Sequence, residues 1–266
     1  MASVINTNIA SLNTQRSLSA SQSSLHTSLA RLSSGLRVNS SKDDAAGLAI
    51  ATRMDGQIRG QNVAIRNAND ALSYAQTAEG AIGKVTDALQ RMRELAVQSI
   101  NGSNSTSDRA NLDAEFQQLV SEVTRLGAQK FNNVAIFGAT VNTFQIGADS
   151  GDTIDIAATA ATTIAGGVTT AALATTALGD IDTALDAANT SRASLGAVQN
   201  RFESVISFLQ TSVENVSAAK SRIMDADFAA ETANMTRGQI LQQAGTAMLA
   251  QANTLPNGVL ALLRGN

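Results

Sequence analysis

The chain has 266 residues, of which 44% are hydrophobic and only 3% aromatic, with a formal net charge of −3. This length suits one large or two small domains, and the pI near 5.2 gives no basic footprint for nucleic acid. Cysteine is absent, which excludes disulfides and thiolate chemistry, and no apolar run is long enough to span a bilayer. Because Ala, Leu, Ile and Val carry the apolar load, long helix–helix seams are favoured over an aromatic core.

The N-terminal part carries apolar residues at helical spacing. The following leucines recur at intervals of seven, four, three and four residues, as in a heptad seam: Leu18, Leu25, Leu29, Leu32 and Leu36. Residues 38–41 are predicted to form a link, and Ser41 with Asp44 resembles a capping box that opens a second helix. That helix is predicted to end at about Ile100. A third helix is indicated by the stripe of Leu112, Phe116, Leu119, Val123 and Leu126.

The pattern changes in residues 135–177. Phe144 and Ile146 alternate with polar neighbours, as do Ile154 and Ile156, and a turn-rich loop lies between the two pairs. This arrangement predicts one β-hairpin. Residues 159–176 are low in charge and rich in Ala, Thr and Gly, and are predicted to form an exposed loop or further short strands.

Helical spacing returns at residue 178 and continues to the end of the chain. Asp225 and Asp227 flank a predicted break, after which a last helix carries an apolar stripe and ends in the run 259–263. Neither end can bury its stripe alone. The predicted fold is therefore mainly α: a long, coiled-coil-like helical bundle that pairs the N- and C-terminal helices, with a small β-hairpin region in the middle.

The residues predict neither an enzyme nor a cofactor or metal site. His26 is the single histidine and lies at an exposed heptad position without a nucleophile, so a solvated side chain is favoured over a general base. Asp43 with Asp44, and Asp225 with Asp227, could suggest calcium binding. Each pair lies at a helix start, however, where carboxylates favour the helix dipole. No dinucleotide or phosphate motif occurs among the glycines.

Residues 90–95 (QRMREL) form a candidate cluster for partner binding. Met92 lies on the predicted seam, whereas Arg91, Glu94 and Leu95 fall largely outside it. One interpretation is a solvated face with an ion pair between Arg91 and Glu94. The other is a binding patch in which Leu95 is the apolar anchor within a polar rim. The residues alone favour the solvated face, because single exposed apolar side chains are common.

Seven motifs lie at or near the two ends: INTN at 5–8, LSSGLR at 32–37, KDDAAG at 42–47, QRMRELAVQ at 90–98, ADF at 226–228, QILQQAG at 239–245 and LAQAN at 249–253. With these motifs the chain resembles bacterial flagellin, the subunit of the flagellar filament, across both ends and most of its length. The resemblance implies a short form without large outer variable domains.

The resemblance also implies two nested domains. Residues 1–40 and 226–266 would form the inner tube of the filament and be disordered in the monomer. Residues 41–225 would form a helical shell, with 135–177 as its hairpin and loop insert. Self-assembly would use apolar terminal residues, namely Ile5, Ile9, Leu12, Leu18, Leu25, Leu29, Leu32, Ile240, Leu241, Met248, Leu249, Leu255, Val259, Leu260 and Leu263. A head-to-tail contact that does not close would generate a helical filament for swimming motility.

Several partners follow from the resemblance. They are further copies of the chain, an export chaperone on the C-terminal helix at about 228–263, and hook-associated and cap proteins, with no nucleic acid or membrane partner. The first residues lack the features of a cleavable signal peptide, so export would need another route. The resemblance implies flagellar type III export to an extracellular filament. Gly238 is expected to cost the last helix about 1 kcal/mol relative to alanine, so Gly238→Ala is predicted to stiffen it.

The resemblance favours the binding interpretation of the exposed cluster. In many flagellins this segment is recognised by the innate immune receptor TLR5, which implies receptor contacts at Gln90, Arg91, Glu94, Leu95, Gln98 and, in a weaker match, Glu115. The nearest alternative function is a hook–filament junction protein, which would share the terminal helices. A secreted receptor ligand with incidental assembly is another alternative. A flagellin that carries an enzyme is disfavoured, because HExxH is absent and the middle region is short.

Overall fold

A computed structural model of the protein describes residues 7–138, 140–157 and 164–264, with only the backbone of 255–264. Within these ranges five helices and two small hairpins follow one another: α1 (Ile9–Ser34), α2 (Ala45–Ile100), α3 (Thr106–Gly127), β1 (Lys130–Phe131), β2 (Val134–Ala135), β3 (Asn142–Gln145), β4 (Thr153–Ile156), α4 (Ala171–Met224) and α5 (Phe228–Arg264). The predicted mainly helical fold, with paired terminal helices and a small β region, is confirmed.

The ends of α1 and α2 follow from local side chains. Gly35 adopts the left-handed conformation (φ 72°) that ends α1, and its amide donates to the carbonyl of Arg31. The cap of α2 is Asp44, whose Oδ1 accepts from the Gly47 amide at 2.8 Å. The prediction of Ser41 as the cap was wrong, because Ser41 lies in the preceding turn. The predicted end of α2 at Ile100 is confirmed.

The β3–β4 hairpin is confirmed, but a second hairpin was not predicted. In β3–β4, Phe144 lies opposite Ile154 in an antiparallel pair. In the shorter β1–β2 pair the two connecting residues, Asn132 and Asn133, have φ of 46° and 65°. Asparagine tolerates this left-handed conformation, which a two-residue hairpin turn of this kind requires.

The segment before α4 corrects a second expectation. Ile164 and Val168 are buried, and the Val168 amide donates to Asp113 on α3, so this stretch is not simply an exposed loop. α4 then begins at Ala171, seven residues earlier than predicted. Residues 158–163, which also belong to that prediction, lie outside the described residues.

One compact unit comprises residues 57–215. A continuous core runs through α2, α3, α4 and the hairpins, and its largest buried side chains include Phe116, Phe202, Ile82, Leu89, Met92 and Leu95. Tyr74 joins the hairpins to this core, because its ring lies 5.8 Å from both Phe131 and Phe144 and its hydroxyl donates to the carbonyl of Ala135.

The other compact unit comprises residues 1–56 and 216–266. In this unit α1 and α5 pack antiparallel. Leu18 faces Gly245, and seven residues away on each helix Leu25 faces Gly238. A Cβ at Gly238 would lie 3.2 Å from Cβ of Leu25. The glycine therefore permits a close approach of the two helices. Alanine here would also crowd Leu25, and the expected stiffening of α5 by Gly238→Ala stays a prediction.

Polar contacts hold this register at both ends of the α1–α5 seam. Near one end, Ser11 Oγ donates to Asn253 Oδ1 at 2.8 Å. Near the other, the Arg31 guanidinium pairs with the Glu231 carboxylate at 2.9 Å, and Glu231 is buried. The Arg31 hydrogen bond, followed by one from Ser28, lowers the pKa of Glu231 below its ordinary value of 4.5.

The predicted break at 225–227 is confirmed. Asp227 caps α5 by accepting from the Ala229 amide at 2.9 Å, and the Ala226 amide donates to the carbonyl of Gly35. One residue of each acidic pair, Asp44 and Asp227, therefore caps a helix, as expected from their positions. The predicted division into 1–40 with 226–266, and 41–225, concerns the assembled filament and stays a prediction.

Candidate interaction surfaces

The terminal helices expose large apolar side chains. Of the residues predicted to drive assembly, six are between 42% and 67% exposed: Ile9, Leu12, Leu29, Ile240, Leu241 and Met248. Phe228, which the sequence analysis did not include, is also exposed and lines an open groove on α5 with Ile240 and Leu241. The groove also contains Thr232, Thr236 and Arg237, and an exposed apolar surface edged by polar residues is typical of a protein interaction site.

The remaining predicted assembly residues divide into two groups. Four have partly buried side chains: Leu18, Leu25, Leu32 and Leu249. Of these, Leu18 and Leu25 contact glycines of α5. We therefore assign Leu18 and Leu25 to the seam within one chain. The side chains of the others lie outside the described residues: Ile5, Leu255, Val259, Leu260 and Leu263.

The cluster on α2 forms an exposed charged patch. The Arg91 guanidinium contacts Glu94 at 2.8 Å and Glu115 on α3 at 2.8 Å. The structure therefore places Glu115, which the motif matched less well, directly beside Arg91. The pKa of Arg91 is raised, chiefly by its hydrogen bond to Glu94 and secondly by its hydrogen bond to Glu115. Gln90 and Gln98 are exposed on the same helix. The predicted i,i+3 pair is thus confirmed, and it extends to α3.

Leu95 is the one predicted patch residue that the structure does not place at the surface. Its side chain is 1% exposed and belongs to the core with Met92 and Phe116. The expectation of an exposed anchor was wrong because α2 buries a stripe wider than one heptad seam, as helices in a globular core do. The exposed apolar residue of the patch is Val97, which borders the same shallow groove as Gln90 and Glu94.

Among the described residues, no group of acidic or histidine side chains could hold a metal ion. His26 is exposed on α1, as predicted. None of the helices searched in the described part of the chain is long and apolar enough to cross a membrane.

Two family models match the chain. The model of the "bacterial flagellin N-terminal helical region" matches residues 5–143, and the model of the "bacterial flagellin C-terminal helical region" matches residues 178–263. The first alone covers more than half of the chain.

The chain belongs to the bacterial flagellin family.

Relatives match this flagellin over nearly its whole length, and two of the three described here are similar in length to it. A flagellin of Halalkalibacterium halodurans is 45% identical over 271 positions, which cover 98% of this chain and 100% of the relative. Flagellin FlaB2 of Treponema pallidum is 39% identical and covers the same shares. Alignment with Flagellin A of Vibrio cholerae, 35% identical, spans 378 positions and covers 98% of this chain and 99% of that flagellin. This chain is therefore a short flagellin.

A solved structure supports the helical fold. The crystal structure of Bacillus cereus flagellin matches with a TM-score of 0.50 and 30% sequence identity, covering 58% of this chain and 94% of that one. Flagellin is a structural protein family that supplies the filament subunit, and this chain belongs to that family.

Proposed function

We propose that this flagellin polymerises into an extracellular helical filament for swimming motility, and that copies meet through the exposed faces of α1 and α5. The observation that carries the proposal is the exposure of Ile9, Leu12, Ile240, Leu241 and Met248 on two helices that already pair with each other. Burying one such side chain is worth roughly 1.5–3 kcal/mol, so a few per subunit can drive association.

The domain division belongs to this proposal. Residues 1–40 and 226–266 form the inner tube, and 41–225 form the surrounding shell with 135–177 as its insert. The described parts of the terminal helices become stably ordered only when a neighbouring copy covers them, because one seam of leucine against glycine buries little apolar area. The shell unit has its own core and is folded before assembly.

Seeded polymerisation of the full chain tests the proposal. The variant Ile240→Ser with Leu241→Ser removes exposed apolar area from α5, whereas Val141→Ser with Leu173→Ser removes exposed apolar area from the other unit. Electron microscopy should show filaments for the unchanged chain and for the second variant, and none for the first. If the α5 variant forms filaments as readily as the unchanged chain, the terminal faces do not drive assembly.

Export and assembly partners extend the proposal. Before export through the flagellar type III channel, a chaperone covers α5, since Phe228, Ile240 and Leu241 form an exposed apolar groove there. Hook-associated and cap proteins contact the two ends of the filament.

The match with flagellins over nearly the whole chain supports a filament subunit over a hook–filament junction protein. Cells that make this chain as their sole flagellin would distinguish the two functions. They should form filaments and swim if the chain is the filament subunit, and should not if it is a junction protein.

We further propose that the α2 patch is recognised by TLR5. Its exposed residues are Gln90, Arg91, Glu94, Val97, Gln98 and Glu115, and the ion pairs of Arg91 fix the arrangement of the charged groups. Leu95 supports the patch from within the core and does not itself offer a surface for the receptor. Arginine is enriched in binding hot spots, so Arg91 is the expected centre of the contact, with Val97 as its apolar neighbour.

A receptor reporter assay with the purified chain tests the patch. Arg91→Ala and Val97→Ala should each lower signalling at least about tenfold, which corresponds to roughly 1.4 kcal/mol of binding free energy. Lys84→Ala is the matched control, because Lys84 is an exposed, ion-paired residue on the same helix outside the patch. Equal signalling by all three variants would contradict the assignment.

A further inference from the structure

The β3–β4 hairpin borders a cleft that the surfaces described above do not use. Its connecting loop, residues 147–152, faces side chains from α2 and α4 within the compact unit 57–215. We call it the hairpin cleft and define it by Gln61, Asp149, Asp152, Phe208 and Leu209.

The loop of the hairpin cleft is held in place from two sides. Gln145 Nε2 donates to the carbonyl of Gly147 at 3.1 Å and to that of Asp149 at 2.6 Å. On the side of α2, Gly60 lets the loop approach, because a Cβ there would lie 2.8 Å from Cβ of Ala148. The shape of the cleft is therefore built into the fold.

Gln61 on α2 lines the cleft and has an unsatisfied acceptor. The residue is 6% exposed, and its Nε2 donates to Ser212 Oγ at 2.9 Å. Its Oε1 is buried and has no hydrogen-bond partner among the described residues. A buried acceptor without a partner costs folding free energy, so a donor group that enters the cleft would be favoured.

The rim and wall of the cleft specify the kind of donor. Asp149 and Asp152 are exposed, and neither carboxylate forms an ion pair or hydrogen bond with another described residue. Phe208 on α4 is 69% exposed, and Leu209 beside it adds an apolar wall. Two carboxylates, an acceptor and an aromatic face together suit the guanidinium of an arginine, which offers five donors and stacks on aromatic rings.

The same unit carries arginines that could fill such a cleft on another copy. Arg66, Arg192 and Arg201 are exposed and form no ion pair with any described residue. The fold thus leaves unpaired carboxylates around an apolar cleft and unpaired arginines elsewhere on its surface. Because the chain has a net charge of −3, copies that pack side by side gain from placing a cation between two carboxylates.

We propose that the hairpin cleft receives an arginine side chain from a neighbouring copy of this chain. The inference rests on the proposed polymerisation and adds a contact of the 57–215 unit to the apolar contacts of the terminal helices. The arginine donates to Asp149 and Asp152, and its planar group stacks on Phe208. A small rotation of the buried Gln61 side chain brings Oε1 within reach of the same donors.

Photo-cross-linking in filaments tests this contact. A photoreactive benzoyl-phenylalanine replaces Phe208 in the full chain, and isotopically labelled and unlabelled copies are mixed so that mass spectrometry separates links between copies from links within one. We expect a link between copies to a peptide that contains arginine. Asp149→Asn with Asp152→Asn should lower its yield about tenfold, the size of one charge-assisted contact. Asp180→Asn with Asp186→Asn, exposed carboxylates of α4, is the charge-matched control and should leave the yield unchanged.

The outcomes separate this contact from polymerisation itself. Filaments that form without a link between copies, or with links only to peptides lacking arginine, overturn the contact and leave the proposed function standing. An electron-microscopy density map of the filament in which only water occupies the cleft would likewise overturn the contact and leave the proposed function standing. If the photoreactive residue at position 208 blocks assembly, the critical concentration for polymerisation is measured instead, with Phe208 unchanged. It should rise about tenfold for the Asp149/Asp152 variant and not for its control, and equal values overturn the contact. If the unchanged chain forms no filaments, both proposals fail.

Discussion

The two compact units of this flagellin treat their apolar residues in opposite ways. In the unit 57–215, aromatic and aliphatic side chains from three helices and two hairpins form a continuous buried core. In the unit 1–56 with 216–266, the buried apolar residues among those described are Val38, Ala51 and Ala252. The larger apolar side chains of α1, and those of α5 within residues 228–254, stay partly or fully exposed.

This difference suggests how a filament subunit can avoid premature assembly and still associate strongly. A unit with its own core folds in isolation, because burial of apolar area offsets the loss of conformational entropy. Helices that share only one narrow seam have little such stabilisation until other copies cover their outer faces. Under the proposed function, the apolar area whose burial drives assembly lies in the terminal helices.

The largest effect is expected from filling the α1–α5 seam. Gly238→Leu places a bulky side chain where even a Cβ lies 3.2 Å from Leu25, so the helices cannot keep their approach and filaments should be lost. Gly80→Leu is the control, because a Cβ at Gly80 on α2 meets nothing within 4 Å. Sedimentation after seeding measures both, and pelleting by the Gly238 variant at the level of the unchanged chain would count against the seam.

The core of the 57–215 unit gives the next largest effect. Leu95→Ala should lower the free energy of unfolding by about 2–5 kcal/mol, because it leaves a cavity next to Met92 and Phe116. Val97→Ala, two residues along the same helix but half exposed, should cost less than about 1 kcal/mol. Denaturant titration of the monomers compares them. Similar losses for both variants would mean that Leu95 is not a core residue.

A pH effect is expected at the terminal seam. The pKa of Glu231 is lowered on folding, so its contribution to stability is present above the unfolded value of 4.5 and is lost as the pH falls through the folded value. Filament melting temperature should therefore drop as acid is added below about pH 4.5. Glu231→Gln should melt lower at neutral pH and lose this part of the acid response.

The control for the acid response is Glu203→Gln, which neutralises an exposed residue of α4. Its melting profile should follow that of the unchanged chain across the whole pH range. An unchanged acid response in the Glu231 variant would show that Arg31 and Glu231 do not hold the seam.

The smallest effect is expected from a helix cap. Ser105 Oγ accepts from the Asp108 amide, and the Asp108 carboxylate accepts from the Ser105 amide, which makes a complete capping box for α3. Ser105→Ala should cost about 1 kcal/mol of unfolding free energy in the 57–215 unit. Ser103→Ala in the same loop should cost nearly nothing, and a loss as large as that of Ser105→Ala would contradict the capping role.

Periodicity in the sequence predicted most of the fold. The heptad spacing of α1, the end of α2 at Ile100 and the break around Asp227 all follow from local patterns, because apolar spacing and caps act within one or two turns. Two-residue alternation likewise identified the β3–β4 hairpin. The β1–β2 pair has strands of two residues, too short for alternation to show.

The features that the sequence did not predict depend on tertiary contacts. Leu95 falls outside the heptad seam but is buried because the core around α2 includes side chains of both α3 and α4. The proximity of Arg91 and Glu115 depends on the packing of α3 against α2, and Gln61 Oε1 is buried without a partner only once the unit 57–215 has folded. Neither the burial of a stripe by two neighbours nor a contact across helices leaves a local signal.

Hydrogen exchange of the monomer and the filament, read by mass spectrometry, tests the central claim most directly. We predict that backbone amides of 9–34 and 228–254 exchange rapidly in the monomer and become protected in the filament. Amides in the core of 57–215 should be protected in both states. Strong protection of the terminal helices in the monomer, with no further gain on polymerisation, would contradict the account.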